Sequence, residues 1–267
     1  MTTYVVHRNG RPADDLAPLA FAGYAHFTAM QVRGHQVRGL DLHLDRLRNA
    51  SLELYGQALP DEQIRDHLRT AVAAGPEDVS LVATVFSATG EFTAAAAEPE
   101  LLVRTGPPSS GPAGPLALAV VEHERFMPAL KHTGESAKTY ALRQAVRDGY
   151  DDAAFVDRHG RLTEATIWNL AFWDGTSVVW PDAPMLLGTT MSIVRRRLTV
   201  PQRTTEITLS TLGAHGEVPA PYAGAVVMNS WSPGIPVSRI GPVEFPSSPA
   251  FADLLHRAYA EEPLTDF

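Results

Sequence analysis

Hydrophobic and polar positions along this chain change period many times over short distances. Tyr4 to His7 alternates as a short strand and ends at the Asn9-Gly10 turn signal. Phe27 to Val37 reads as a hairpin around Arg33-Gly34. Leu44, Leu47, Ser51 and Leu54 recur at helical spacing, with Asp41 as the expected N-cap and Gly56 as the stop. Asp61 to Ala74 reads as a second helix, and Val79 to Ser87 and Pro99 to Thr105 as strands. Thr105 to Pro115 is rich in Gly, Pro and Ser and reads as the clearest linker.

Beyond the linker, Leu116 to Glu122 predicts a strand and Ala137 to Asp148 a helix stopped by Gly149. Strands then follow quickly. Ala153 to Asp157 and Arg161 to Glu164 flank the turn at Arg158-His159-Gly160, while Ile167 to Trp173 and Ser177 to Trp180 flank Asp174-Gly175. Gly188-Thr189-Thr190 opens a helix to about Leu198, Val226 to Asn229 is a strand, and Ser248 with Pro249 begins a last helix. No internal repeat or low-complexity tract interrupts the pattern. Irregular alternation of strands and helices predicts α+β layers in two domains: residues 1–106, a linker at 107–115, and residues 116–267.

Composition narrows the function. Of 267 residues, 45 % are hydrophobic and 19 % charged, enough to build a real core. A formal net charge of −8 argues against nucleic-acid or anionic-membrane partners. No apolar run is long enough to span a bilayer. The first ten residues lack a basic region followed by an apolar core, so no secretory signal is expected. The absence of cysteine excludes disulfides and thiolate metal sites and fits a cytoplasmic location. No clustered His pair or H-E-x-x-H pattern suggests a metal site. Although Lys and Arg total 22, the lysines are only Lys131 and Lys138, so any Schiff-base chemistry must use one of these two.

Five places carry candidate chemistry. Lys131 follows an apolar segment, which lowers an amine's pKa and frees it as a nucleophile; the plain alternative is a strand-end lysine reaching water. Lys138, among Glu135, Thr139 and Arg143, reads as solvated. Glu164 ends a strand in an apolar hairpin and needs a partner, either a pyridinium nitrogen or a surface arginine. Leu187-Gly188-Thr189-Thr190 forms an anion site at a helix start, or a simple threonine cap. Asn229 to Gly234, with Ser230 and Trp231, offers a second phosphate turn or an ordinary Ser/Pro/Gly turn. Arg46, three residues after His43, can fork onto a phosphate or pair with Asp41 or Asp45.

In this order and spacing the segments resemble the fold-type IV pyridoxal 5'-phosphate (PLP) enzymes. That family includes branched-chain and D-amino acid aminotransferases and aminodeoxychorismate lyase. The resemblance runs from about Gly23 to Val237. It rests on Phe27-Thr28-Ala29 through Leu47, on Leu130-Lys131-His132, on Gly149 to Asp157 with Gly160 to Glu164 and Asn169 to Phe172, on Leu187 to Thr190, and on Asn229-Ser230 with Pro236-Val237. Lys131 precedes Glu164 by 33 positions, as the family leads one to expect, whereas Lys138 precedes it by 26.

The resemblance implies a D-amino acid aminotransferase-like fold of two α/β domains with the cofactor in the interdomain cleft. It implies PLP held as a Schiff base by Lys131, with Glu164 at the ring nitrogen. Arg46, Thr190, Ser230 and the backbone at Thr189 and Trp231 would hold the phosphate. Members are usually homodimers acting on a small amine or amino acid and a keto acid. An aminotransferase is the first expectation, followed by a lyase and then a non-catalytic PLP-binding homologue. The chain departs from its relatives where they bind a substrate carboxylate: Gln31 replaces a common Arg, Val82 to Ser87 carries no Arg, and Ser136 replaces a frequent Tyr.

Overall fold

A computed structural model describes residues 4–17, 23–89, 97–213 and 221–267. The chain divides into two compact units. The first comprises Met1–Ser110, Leu130–Gly134 and Pro263–Phe267; the second comprises Gly111–Ala129 and Glu135–Glu262.

In the first unit the elements run β1 (Val6–Arg8), β2 (Arg11–Pro12), β3 (His26–Val32), β4 (Val37–Arg38), α1 (Leu40–Tyr55), α2 (Asp61–Ala73), β5 (Val79–Ser87) and β6 (Pro99–Gly106). Five of the strands form a sheet in the order β2-β1-β6-β5-β3, paired antiparallel throughout. Along β3, alternate residues from His26 to Val32 are buried, as a sheet with one covered face requires. Leu40, Leu44 and Leu47 of α1, with Ile64 and Leu68 of α2, complete the core against Met30, Leu81 and Leu101. Helix α1 begins earlier than the sequence suggests. Its N-cap is Gly39, whose positive φ of 66° suits glycine, and Asp41 lies in the first turn, where its charge still favours the helix dipole. Gly56 ends the helix as expected.

The second unit contains β7 (Leu116–Glu122), α3 (Ser136–Arg147), β8 (Asp152–Val156), β9 (Leu162–Ala165), β10 (Asn169–Trp173), β11 (Val178–Pro181), α4 (Thr189–Arg197), β12 (Gln202–Thr205), β13 (Gly224–Met228), β14 (Ile235–Ile240), β15 (Val243–Glu244) and α5 (Pro249–Ala260). Strand β9 pairs with both β8 and β10, so β10-β13-β14-β7-β8-β9 close into a ring, with β11, β12 and β15 attached. Leu118, Leu162, Leu170, Phe172, Val227 and Ile235 belong to one core cluster. Helix α3 packs Ala141 and Ala145 with Ala153 and Phe155. Helices α4 and α5 bring Met191, Val194, Phe251 and Leu255 against Ala171, Trp180 and Val226. A strand covered on both faces is buried along its whole length, which is why β13 reads as an apolar run.

A final strand, β16 (Leu264–Thr265), pairs with β4 in the first unit. This mixture of helices and strands makes the fold α+β. Among the described residues, no helix is long and apolar enough to cross a membrane.

Candidate active site

The β9–β10 hairpin organises the second unit's polar residues. Glu164 and Asn169 are direct partners across it, so their side chains leave the same face. Ala165 N–H donates to the Trp168 carbonyl (2.8 Å) and closes the turn. Buried Asp152, on neighbouring β8, fixes that turn: it accepts from the Thr166 hydroxyl (2.5 Å), the Trp168 indole N–H (2.8 Å) and the Ala153 N–H (2.6 Å).

Glu164 is only 4 % exposed and faces two cations. Lys138 Nζ donates to its Oε1 at 2.9 Å, and Arg125 Nη1 approaches the same oxygen at 3.5 Å. Arg125 also pairs with Glu135 (3.4 Å), and His123 Nε2 lies 3.9 Å from Glu135. Phe155 lies beneath this group, 5.7 Å from Lys138 Nζ and 4.7 Å from the His123 ring. Two cations thus face two carboxylates in a largely buried cluster.

The expectation that Lys138 is solvated is therefore wrong: its residue is 6 % exposed. Its neighbours in sequence are polar, but Lys138, Ala141 and Ala145 share the buried face of α3 at helical spacing. That spacing was the available signal. Burial pushes the Lys138 amine below the usual lysine range, and Glu164 opposes the shift. Burial likewise lowers the imidazole pKa of His123. Arg125 opens an apolar segment, and its immediate neighbours in sequence give no sign of its place in this cluster.

Asn169 builds the entry to α4. Its Nδ2 donates to the Leu186 carbonyl (2.7 Å), and its Oδ1 accepts from Gly188 N–H (3.0 Å). A Cβ at Gly188 would collide with that Oδ1, so glycine is required here. The next residue, Thr189, is 6 % exposed and starts α4. Its Oγ1 is buried without a hydrogen-bond partner among the described residues, and no side chain caps the helix. An orphan hydroxyl beside the N–H groups of a helix N-terminus has the chemistry of an anion site. Thr190 is buried beside it. In the second expected loop, Ser230 is half-buried and Trp231 is 39 % exposed. The Trp231 N–H, expected at a phosphate, donates instead to Asn229 Oδ1 (2.7 Å).

The first unit carries the remaining candidates. Residues 131–133 lie along the edge strand β3: Phe27 N–H donates to the Lys131 carbonyl (2.9 Å) and Thr133 N–H to that of Ala25 (2.8 Å). Half-buried Lys131 places Nζ 4.8 Å from the centre of the Phe27 ring, a cation–π distance. Arg46 is half-buried on α1, and Asp45 pairs with Arg48. His43, on the same helix, is buried and hydrogen-bonded through Nδ1 to Thr28 Oγ1 (2.6 Å). Burial, aided by the Arg46 charge, lowers its pKa to about 3. Among the described residues, no group of three or more His, Cys, Asp or Glu could hold a metal ion.

Comparison with known proteins places the fold. A search of curated protein sequences gave no match. Among solved structures, a branched-chain aminotransferase from Thermoproteus uzoniensis, crystallised with norvaline, aligns with a TM-score of 0.81 and 19 % identity, covering 98 % of this chain and 99 % of that one. The PLP form of the branched-chain amino acid aminotransferase from Thermobaculum terrenum gives 0.80 and 17 %, covering 97 % and 93 %. A chain from Legionella pneumophila assigned as a 4-amino-4-deoxychorismate lyase gives 0.79 and 19 %, covering 94 % and 96 %. At these identities the likeness is one of fold. The family profile described as amino-transferase class IV matches residues 25–240, and the chain belongs to that family.

Proposed function

We propose that this protein is a PLP-dependent aminotransferase acting on a small amino acid or amine, with Lys131 as its covalent lysine. The observation that carries the reading is the buried Thr189 hydroxyl at the first turn of α4, which has no hydrogen-bond partner among the described residues. A phosphate would give it the acceptor it lacks. When bound, PLP supplies an electron sink for charge developing on the substrate carbon.

The chain's own residues would do the rest. Thr189 and Thr190 would donate O–H groups, and Thr189 its N–H, to the phosphate. Arg46 would add a guanidinium, and Ser230 a hydroxyl. The Trp231 N–H would join them only by leaving Asn229. Glu164 would meet the ring nitrogen through Oε2, since both of its cation contacts end on Oε1. Lys131 Nζ, displaced by an incoming amine, would move the proton of the substrate carbon. Gln31, where relatives often carry an Arg, is already engaged with Ser80 Oγ (2.8 Å), Ser109 N–H (3.0 Å) and Arg33 (3.1 Å). The reading includes a cytoplasmic homodimer, and sedimentation equilibrium tests its assembly.

The deciding experiment loads the protein with PLP and adds a panel of amines, first without and then with a keto acid. One equivalent of carbonyl product, becoming catalytic only with the keto acid, is expected. Repeated release of a keto acid without an acceptor would establish the lyase reading. PLP binding with no turnover of any amine would point to a non-catalytic homologue.

A further inference from the structure

We infer that Lys138 is a positioning residue that sets the protonation of the cofactor's ring nitrogen through Glu164. The inference rests on the cofactor reading above and adds a residue to it. Lys138 belongs to none of the segments that carry the family resemblance.

Among the described residues, the groups around Glu164 explain the effect. Arg125 already offers the carboxylate one cation, at 3.5 Å from Oε1. Lys138 adds a second at 2.9 Å on the same oxygen. Glu135 balances Arg125, at 3.4 Å, and has His123 at 3.9 Å. Phe155 forms an apolar side of the cluster. The other buried residues of α3 are Ala141 and Ala145, so the helix delivers one buried charge, and delivers it to Glu164. Holding an ammonium in such a place is costly, and its pairing with the Glu164 carboxylate is what offsets that cost.

A carboxylate that already holds a close cation attracts a second proton-bearing nitrogen less strongly. Lys138 and a ring N–H would therefore compete for Glu164. With Lys138 present, the ring nitrogen gives up its proton at a lower pH than Glu164 alone would set. Cofactor binding in turn makes the Lys138 ammonium easier to deprotonate, because the two cationic forms repel each other across one carboxylate.

The test uses the full chain loaded with PLP labelled with 15N at the ring nitrogen and follows its 15N shift across pH. Lys138→Gln keeps a hydrogen-bond donor to Glu164 but removes the charge. It should raise the ring nitrogen's pKa by about one unit or more, while Lys138→Arg should stay close to the parent. A Lys138→Gln protein that binds PLP and titrates like the parent would overturn the inference. Should Lys138→Gln fail to fold, 15N-lysine labelling of the parent gives the same answer, because the chain has only two lysines to assign. The Lys138 Nζ titration must then move to lower pH when PLP binds, and an unmoved titration overturns the inference. A parent protein that binds no PLP removes both this inference and the cofactor reading beneath it.

Discussion

At the scale of single residues, partners decide more than residue type. The two lysines have opposite environments: Lys138 is buried on Glu164, while Lys131 is half-buried over the Phe27 ring. Sequence context ranked them by their immediate neighbours, which is informative on a strand and misleading on a helix, where neighbours in space stand three and four apart. Thr189 has the opposite problem, a buried hydroxyl that lacks a partner among the described residues. This makes a two-sided prediction for Thr189→Val. Removing a charge-assisted hydrogen bond should weaken PLP binding about ten- to a hundred-fold, measured by absorbance titration. The melting temperature of the cofactor-free protein should stay level or rise, since a buried unsatisfied group is lost. A variant that binds PLP as tightly as the parent would argue against a phosphate at α4.

Among elements, the β9–β10 hairpin does most to position the second unit's candidate residues. One register places Glu164 opposite Asn169, and Asp152 locks the turn between them. Asp152→Ala would leave the buried indole N–H of Trp168 and the Thr166 hydroxyl without their acceptor. A loss of about 3 kcal/mol follows, or roughly 6 °C or more in Tm by calorimetry. PLP affinity should fall as well, because Glu164 and Asn169 depend on that turn.

The strands of this hairpin were legible in sequence as apolar runs, but its turn was not: the turn signals stand at Arg158-His159-Gly160 and Asp174-Gly175, whereas Ala165 to Trp168 carries none. Strand β14 was not legible either: Pro236 and the preceding Ser-Pro-Gly turn look like loop, and its pairing with β7 is parallel and distant in sequence. The start of α1 was misplaced because Asp41 looked like a cap, whereas Gly39 supplies the turn through its backbone. The charged cluster of Arg125, Glu135, Lys138 and Glu164 was hidden for the same reason as β14. Its members come from a loop, a helix and a strand, and only the folded chain brings them together.

For the whole molecule, the first unit carries a titration that can be measured. Burial lowers the pKa of His26 to about 4 and that of His43 to about 3. In the unfolded chain both imidazoles titrate near pH 6.5. Below that pH the unfolded state takes up protons that the folded state refuses. The stability present above pH 6.5 is therefore lost progressively as pH falls toward 4. The urea midpoint for the first unit's unfolding, followed by hydrogen exchange in β3 and α1, should be lower at pH 5 than at pH 7.5. His43→Gln should flatten this dependence by up to about 1.4 kcal/mol per pH unit. An equal midpoint at both pH values would contradict the burial of these two histidines.

The central claim is that Lys131, and not the more deeply buried Lys138, carries the cofactor. With two lysines in the chain, one measurement separates them: load with PLP, reduce with borohydride, digest and map the modified peptide by mass spectrometry. A single pyridoxyl phosphate adduct on Lys131 is expected, absent in Lys131→Ala and retained in Lys138→Arg. An adduct on Lys138, or none on either lysine despite bound PLP, would contradict it.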